Sequence, residues 1–189
     1  DMMMEGPDFR LDWSTPVMVG RKAIASNAAD IAAMGAHVVT YEIAVATPAH
    51  TPMSTLLDLA RGFAQGISEL TPEASIAGGD LSRAPVLSLA VTVLGDMRGL
   101  APVTRSGARP GDVIAVGGPL GLSAAGLRLL LGAGDNSRLI AQLVAENGLV
   151  HQHLAPQAPI ALGPIAAEAG AHAMMDISDG LVLDATRMA

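Results

Sequence analysis

Val38-Val39-Thr40-Tyr41-Glu42-Ile43-Ala44-Val45-Ala46 is dominated by β-branched residues around a tyrosine, the composition of a strand. Helical stretches flank it. Upstream, Ser14-Thr15-Pro16 predicts a helix start, with Thr15 as N-cap and Pro16 in the first helical position, and Gly35 ends that helix after Met34. Downstream, Thr51-Pro52 opens an amphipathic helix over Met53 to Leu70. Ser75-Ile76-Ala77 reads as a short strand feeding a turn at Gly78-Gly79-Asp80, and Val86 to Leu94 as a further strand. Strand, helix and strand interleave, so the class is α/β or α+β.

The turn-rich segment Arg105-Ser106-Gly107-Ala108-Arg109-Pro110-Gly111-Asp112 marks a passage between two domains, residues 1–109 and 110–189. Beyond it, Val113 to Val116 predicts a strand running into Gly117-Gly118-Pro119-Leu120-Gly121, and Ser123 to Leu131 a helix. Such a turn either presents backbone N–H groups to a phosphate or is an ordinary loop. Arg138 to Asn147 and Pro159 to Ala169 are predicted helices, Ala171 to Met175 a strand, and a last helix begins after Gly180. Met2-Met3-Met4 reads as core packing. The start on Asp1 and the stop inside that last helix read as a fragment of a longer chain.

Half of the 189 residues are hydrophobic and 15% charged, enough to fill a core. A net charge of -7, with no basic run among eleven Lys and Arg, argues against a nucleic-acid partner. Mean hydropathy is +0.42, yet Gly, Pro, Ser and Thr break every apolar stretch well short of the roughly 20 residues that span a bilayer. The absence of cysteine excludes disulfides and thiolate sites, and a cytoplasmic setting is the simplest fit. With 2% aromatic residues, recognition must rest on backbone, charge and metal.

Acids carry the chemistry. Asp176-Ile177-Ser178-Asp179-Gly180 places two carboxylates and a hydroxyl on a tight turn; Asp30 sits inside an apolar helix; Asp80 follows two glycines. Oxygen donors of this kind suit a divalent cation bound to phosphate. Each has an ordinary alternative. Asp30 could pair with Arg21 or Lys22, Asp80 could close an Asx turn, and Asp176 and Asp179 could cap the helix that follows. Arg105 is either an inter-domain ion-pair partner or a triphosphate clamp. The five histidines show no ligand spacing, and His151 and His153 alternate as surface residues would.

In chain order, Asp1 with Glu5-Gly6 and Phe9, then Asn27-Ala28-Ala29-Asp30-Ile31-Ala32-Ala33-Met34-Gly35-Ala36, Gly78-Gly79-Asp80, the Arg105 to Asp112 segment, Ser123-Ala124-Ala125-Gly126-Leu127 and Asp176-Ile177-Ser178-Asp179-Gly180-Leu181 resemble the thiamine-monophosphate kinase family. Single motifs are shared with aminoimidazole-ribonucleotide synthetases and selenophosphate synthetases. Arg10-Leu11-Asp12-Trp13-Ser14-Thr15-Pro16 together with the Asp30 helix is characteristic of the kinase. The resemblance implies an N-terminal α+β domain whose mixed sheet pairs with that of a second subunit, an α/β domain after it, and a cleft between them. It implies direct transfer of the ATP γ-phosphoryl group onto thiamine phosphate with several Mg²⁺. Asp1, Asp30, Asp80, Asp176 and Asp179 would then be metal ligands, and Gly79, Asp80, Arg105 and Ser178 would contact ATP. Asp8 stands where the family commonly has a histidine facing substrate, and is the candidate substrate contact. Leu122 replaces an acid frequent in the family, and Leu81-Ser82 a frequent Thr-Thr. Two other readings stand beside the kinase: a related ATP-dependent ring-closing synthetase, and a non-catalytic Mg-nucleotide-binding module.

Overall fold

A computed structural model describes all residues, 1–189. A four-stranded mixed sheet runs in the order β1 (Met2–Met4), β4 (Ser88–Asp96), β2 (His37–Thr47), β3 (Ser75–Arg83). β4 is antiparallel to both β1 and β2, whereas β2 and β3 are parallel and joined through helix α2 (Met53–Leu70). The fold of the first half is therefore α+β.

Helix α1 (Pro16–Ala33) starts and stops where its sequence says. Thr15 Oγ1 accepts from Met18 N at 3.3 Å. At the other end Gly35, at φ +84°, lets the Gly35 and Ala36 amides reach back to Ala32 O and Ile31 O in a Schellman closure. Both helices cover one sheet face. Tyr41, Ile43, Leu89 and Val91 point into that layer against Val19, Ile24, Leu59 and Phe63, each full burial contributing roughly 1.5–3 kcal/mol. Tyr41 Oη meets Thr71 Oγ1 at 3.1 Å and so ties the sheet to the end of α2. The opposite face is bare: Met2 is 60% exposed and Leu94 56%. Of the Met2-Met3-Met4 triplet only Met3 enters the core.

Glycines set the spacing of the helices. A Cβ on Gly62 would lie 2.2 Å from Val17 O, and one on Gly20 2.5 Å from Leu59 O, so α1 and α2 touch through their backbones.

The second half is helical: α3 (Leu122–Ala133), α4 (Ser137–Glu146), α5 (Gly148–Leu154), α6 (Leu162–Glu168) and α7 (Leu181–Met188). The expected strands at Val113 to Val116 and Ala171 to Met175, and with them the α/β layering of residues 110–189, are absent. A strand exists only by pairing its N–H and C=O groups with a neighbour, and neither segment has one. Val113 and Ile114 are accordingly 92% and 87% exposed. The turn-rich passage holds one 3₁₀ turn, Arg105–Gly107. A separate core forms from Leu130, Ala133, Ile140, Val150 and Leu154, and it is completed by Trp13, from the segment that precedes α1. No helix is long and apolar enough to cross a membrane.

Gly62→Ala should lower stability by about 1–3 kcal/mol, because the helices must part to admit the methyl group. Gly132→Ala in α3, where an added Cβ meets nothing within 4 Å, should be stabilising by roughly 0.5–1 kcal/mol. Urea midpoints of the two variants, compared at equal slope, decide this.

Candidate functional site

Asp30 lies near the end of α1 with neither expected cation partner. Arg21 pairs instead with Glu69, and Lys22 Nζ donates to the main-chain oxygen of Asp8 at 2.8 Å. The ion-pair alternative for Asp30 is thus not realised. Although Asp30 is an exposed residue, partial desolvation pushes its carboxyl above the usual carboxylate range and the charge of Asp176 pushes it further. Asp30 and Asp176 are therefore electrostatic neighbours, although they come from the two halves of the chain.

Packing explains how they meet. One turn before Asp30, Asn27 is buried, gives its Nδ2 hydrogen to Ala23 O, and accepts from Asp1 N on Oδ1 at 2.9 Å. Asp1 N also donates to Val91 O, which fixes the first residue between α1 and β4. From the other side α6 docks on the end of α1: a Cβ on Gly163 would fall 2.0 Å from Ala32 O, and one on Gly35 2.5 Å from the Ala167 methyl group and 3.4 Å from Met174 Cε. Met174 is two residues before Asp176, so this contact delivers the acidic turn. A second fastening is polar. Asp112 accepts from the Arg109 amide and bonds His172 Nδ1 at 2.8 Å, and the amide first, then the imidazole, holds its carboxyl below the usual range.

The remaining candidates lie apart. Gly78-Gly79-Asp80 is not a turn but the middle of edge strand β3, where a Cβ on Gly79 would strike Ile43 O at 2.0 Å. Gly79 is there for close approach of two strands. Asp80 accepts a hydrogen bond from Ser82 Oγ on that exposed strand. Arg105 and Ser178 are exposed, and Arg105 makes no ion pair, so its inter-domain alternative is not realised. Asp179 does not cap α7; its carboxylate is bound by Arg187 at 2.6 Å. The cap comes from Asp184, 1% exposed, which accepts from the Asp179 and Gly180 amides at 2.9 and 3.0 Å and from Arg187 at 3.0 Å. Asp184 was legible only as an acid in the first turn of a helix. Asp8 folds back locally, its carboxylate accepting from Met4 N at 2.7 Å. His153 is half-buried, not a surface residue. No three acids or histidines stand close enough together to hold a metal ion as placed.

Residues 1–97 match the family described as AIR synthase related protein, N-terminal domain. Thiamine-monophosphate kinase of Mycobacterium tuberculosis H37Rv is 44% identical over 189 residues, covering 100% of this chain and 54% of that protein. The Corynebacterium glutamicum enzyme of the same name is 43% identical over 192 residues, covering 100% and 56%. Among solved structures, thiamine monophosphate kinase from Aquifex aeolicus superposes with a TM-score of 0.85 at 32% identity over 100% of this chain and 60% of that one. A further structure, described as AaThiL complexed with AMPPCP and TMP, superposes equally well at 32% identity and covers 100% and 58%. The kinase resemblance read from the motifs is borne out by these relatives, and the chain spans about half their length.

A carboxyl raised in the folded state contributes stability below its ordinary value and loses it as pH climbs through the raised one. Without metal, Asp30→Asn should therefore be more stable than the parent at pH 7 by about 0.5 kcal/mol after solvent screening, the gap closing as pH falls to 3.8, the ordinary value. Urea titrations across that range measure it. Asp184→Ala should destabilise by about 0.5–2 kcal/mol, seen as early loss of α7 in amide exchange, since it removes the acceptor of the Asp179 and Gly180 amides at the start of the helix.

Proposed function

We propose, given that this chain belongs to the AIR synthase related family, that it carries the ATP- and metal-binding part of a thiamine-phosphate kinase. The carrying observation is the charge of Asp176 acting on Asp30 across the two halves, with neither Arg21 nor Lys22 set against Asp30. Two carboxylates that repel each other are relieved by a proton on one of them or by a positive charge between them, and at neutral pH a cation serves both.

The donor set fits a hard divalent ion. It is oxygen only, and the cost of gathering it shows in the raised Asp30 carboxyl. Asp30 and Asp176 would hold Mg²⁺, with Asp1, Asp80 and Asp179 as further ligands of the same kind. The ion supplies neutralisation of phosphate charge when bound. Several such ions would serve the two polyanions. Transfer of the γ-phosphoryl group is direct, so no side chain acts as nucleophile, and the chain's part is to place and orient the reactants. The backbone at Gly79, with Asp80, Arg105 and Ser178, is proposed to hold ATP. Arg105 has a free guanidinium suited to an oxygen pair. Asp179 would have to leave Arg187, and Asp80 leave Ser82, to join the metal.

Residues 1–109 would form the metal- and nucleotide-binding unit and residues 110–189 the incomplete start of an α/β unit in a cytoplasmic enzyme. The bare sheet face, with Met2, Met4 and Leu94 exposed, supports a homodimer formed through that face.

ADP release measured with ATP and Mg²⁺ should require thiamine phosphate. Asp30→Asn should cut it at least about 100-fold while circular dichroism stays unchanged. Release without thiamine phosphate would sink the kinase and favour a ring-closing synthetase. Nucleotide binding with no release under any condition would favour a non-catalytic module.

A further inference from the structure

Two stretches from opposite halves of the chain close a ring of contacts beside the end of α1. Val103 N donates to Met34 O at 3.0 Å, which ties the segment before the 3₁₀ turn to the C-cap of the helix that carries Asp30. Arg105 follows two residues later and opens the 3₁₀ turn; two residues beyond it, Gly107 meets the second half, where a Cβ would fall 1.9 Å from His172 O. From His172 the chain runs to Met174, whose Cε would lie 3.4 Å from a Cβ on Gly35, the neighbour of Met34. Asp176 is two residues further on. The 3₁₀ turn also lies beside α7, the helix that follows the acidic turn.

Side chains lock this ring at His172. Arg109 to Asp112 is a tight turn, with Asp112 N donating to Arg109 O at 3.0 Å, Asp112 Oδ2 accepting from Arg109 N at 2.8 Å, and Gly111 at φ +98°. The other carboxylate oxygen, Oδ1, takes His172 Nδ1 at 2.8 Å, and Arg109 Nη1 stands 3.4 Å from Nε2. A carboxylate only accepts and a guanidinium only donates, so the two neighbours together specify an imidazole with its hydrogen on Nδ1. His172 is an exposed residue, so packing does not account for a ring held on both nitrogens.

What the clasp holds is Arg105. Its guanidinium is exposed and forms no ion pair, while its backbone is anchored on one side to Met34 and on the other to His172. A group already held in place loses less freedom when it binds, so fixing the main chain at Arg105 strengthens any phosphate contact it makes.

We propose that His172, held by Asp112, is a positioning residue for nucleotide binding. It fixes the Arg105 backbone against the segment that leads to Asp176 and Ser178, so that the guanidinium and the acidic turn address one polyphosphate chain and its metal. The role rests on the kinase reading above, through the assignment of Arg105 and Ser178 to ATP. His172 itself acts only through its neighbours.

Calorimetric titrations of AMPPCP with Mg²⁺ into the parent protein, His172→Ala, His172→Asn, Arg105→Ala and the Arg105→Ala/His172→Ala pair test this. His172→Ala should weaken binding roughly 5- to 20-fold. His172→Asn, whose amide N–H takes the place of Nδ1–H, should recover most of that loss. In the Arg105→Ala background the His172→Ala change should cost less than about 2-fold, because the residue it acts through is gone. Equal affinity in His172→Ala, or the same loss with and without Arg105, overturns the positioning role and leaves the nucleotide reading standing. If the parent binds no AMPPCP, the nucleotide reading falls and the role falls with it.

Discussion

Backbone contact on both ends of α1 is the constraint on which the rest of the molecule depends. At its first turns Gly20 lies against Leu59 O and Gly62 of α2 against Val17 O; at its last turn Gly163 of α6 lies against the Ala32 carbonyl. None of these positions admits even one more carbon without displacement of backbone. The helix is therefore fixed in height above the sheet and in its distance from the second half. Every charged or polar group it carries inherits that fixity: Lys22 beside Asp8, Asn27 against Asp1, and Asp30 opposite Asp176. Side-chain packing alone would leave more play, since rotamers adjust where main chain does not.

That rigidity has an electrostatic cost. Asp30 is held where partial desolvation and a second carboxylate both oppose its ionisation, and the two basic residues just over two turns away are bound elsewhere. Natural chains tolerate such local conflict where it serves binding, because the same groups are relieved when a ligand of opposite charge arrives. Asp179 is treated differently. Arg187 neutralises it and Asp184 anchors the turn beneath it, so the acidic turn is quiet on one side and strained on the other.

Local signals made much of the first half legible. Thr15-Pro16 and Gly35 bracket α1 through groups that act within a turn, and Met53 to Leu70 is bounded as its periodicity predicts. What stayed hidden depended on partners far away in the chain. Val113 to Val116 has the residues of a strand, but a strand is a relation between two segments and this one has no second member. Gly78-Gly79 has the residues of a turn, yet the carbonyl of Ile43, more than thirty positions earlier, makes glycine necessary in a strand. Among site residues, Asp30 was legible because an acid stands out in a largely apolar helix, although the helix end leaves it exposed rather than buried. Asp184 was not: its role comes from the amides of Asp179 and Gly180 arriving over it, and α5 likewise owes its place to Gly126 meeting Leu149 O.

Trp13 is the only tryptophan in the chain, and it belongs by sequence to one half and by packing to the other. Its indole N–H is buried without a hydrogen-bond partner, and the Arg10 guanidinium lies 4.3 Å from the ring centre. The ring is therefore a single chromophore placed at the joint, in a dry setting with one cation over its face. Its emission reports on neither core's interior alone but on whether the two remain docked, which makes the joint observable without any label.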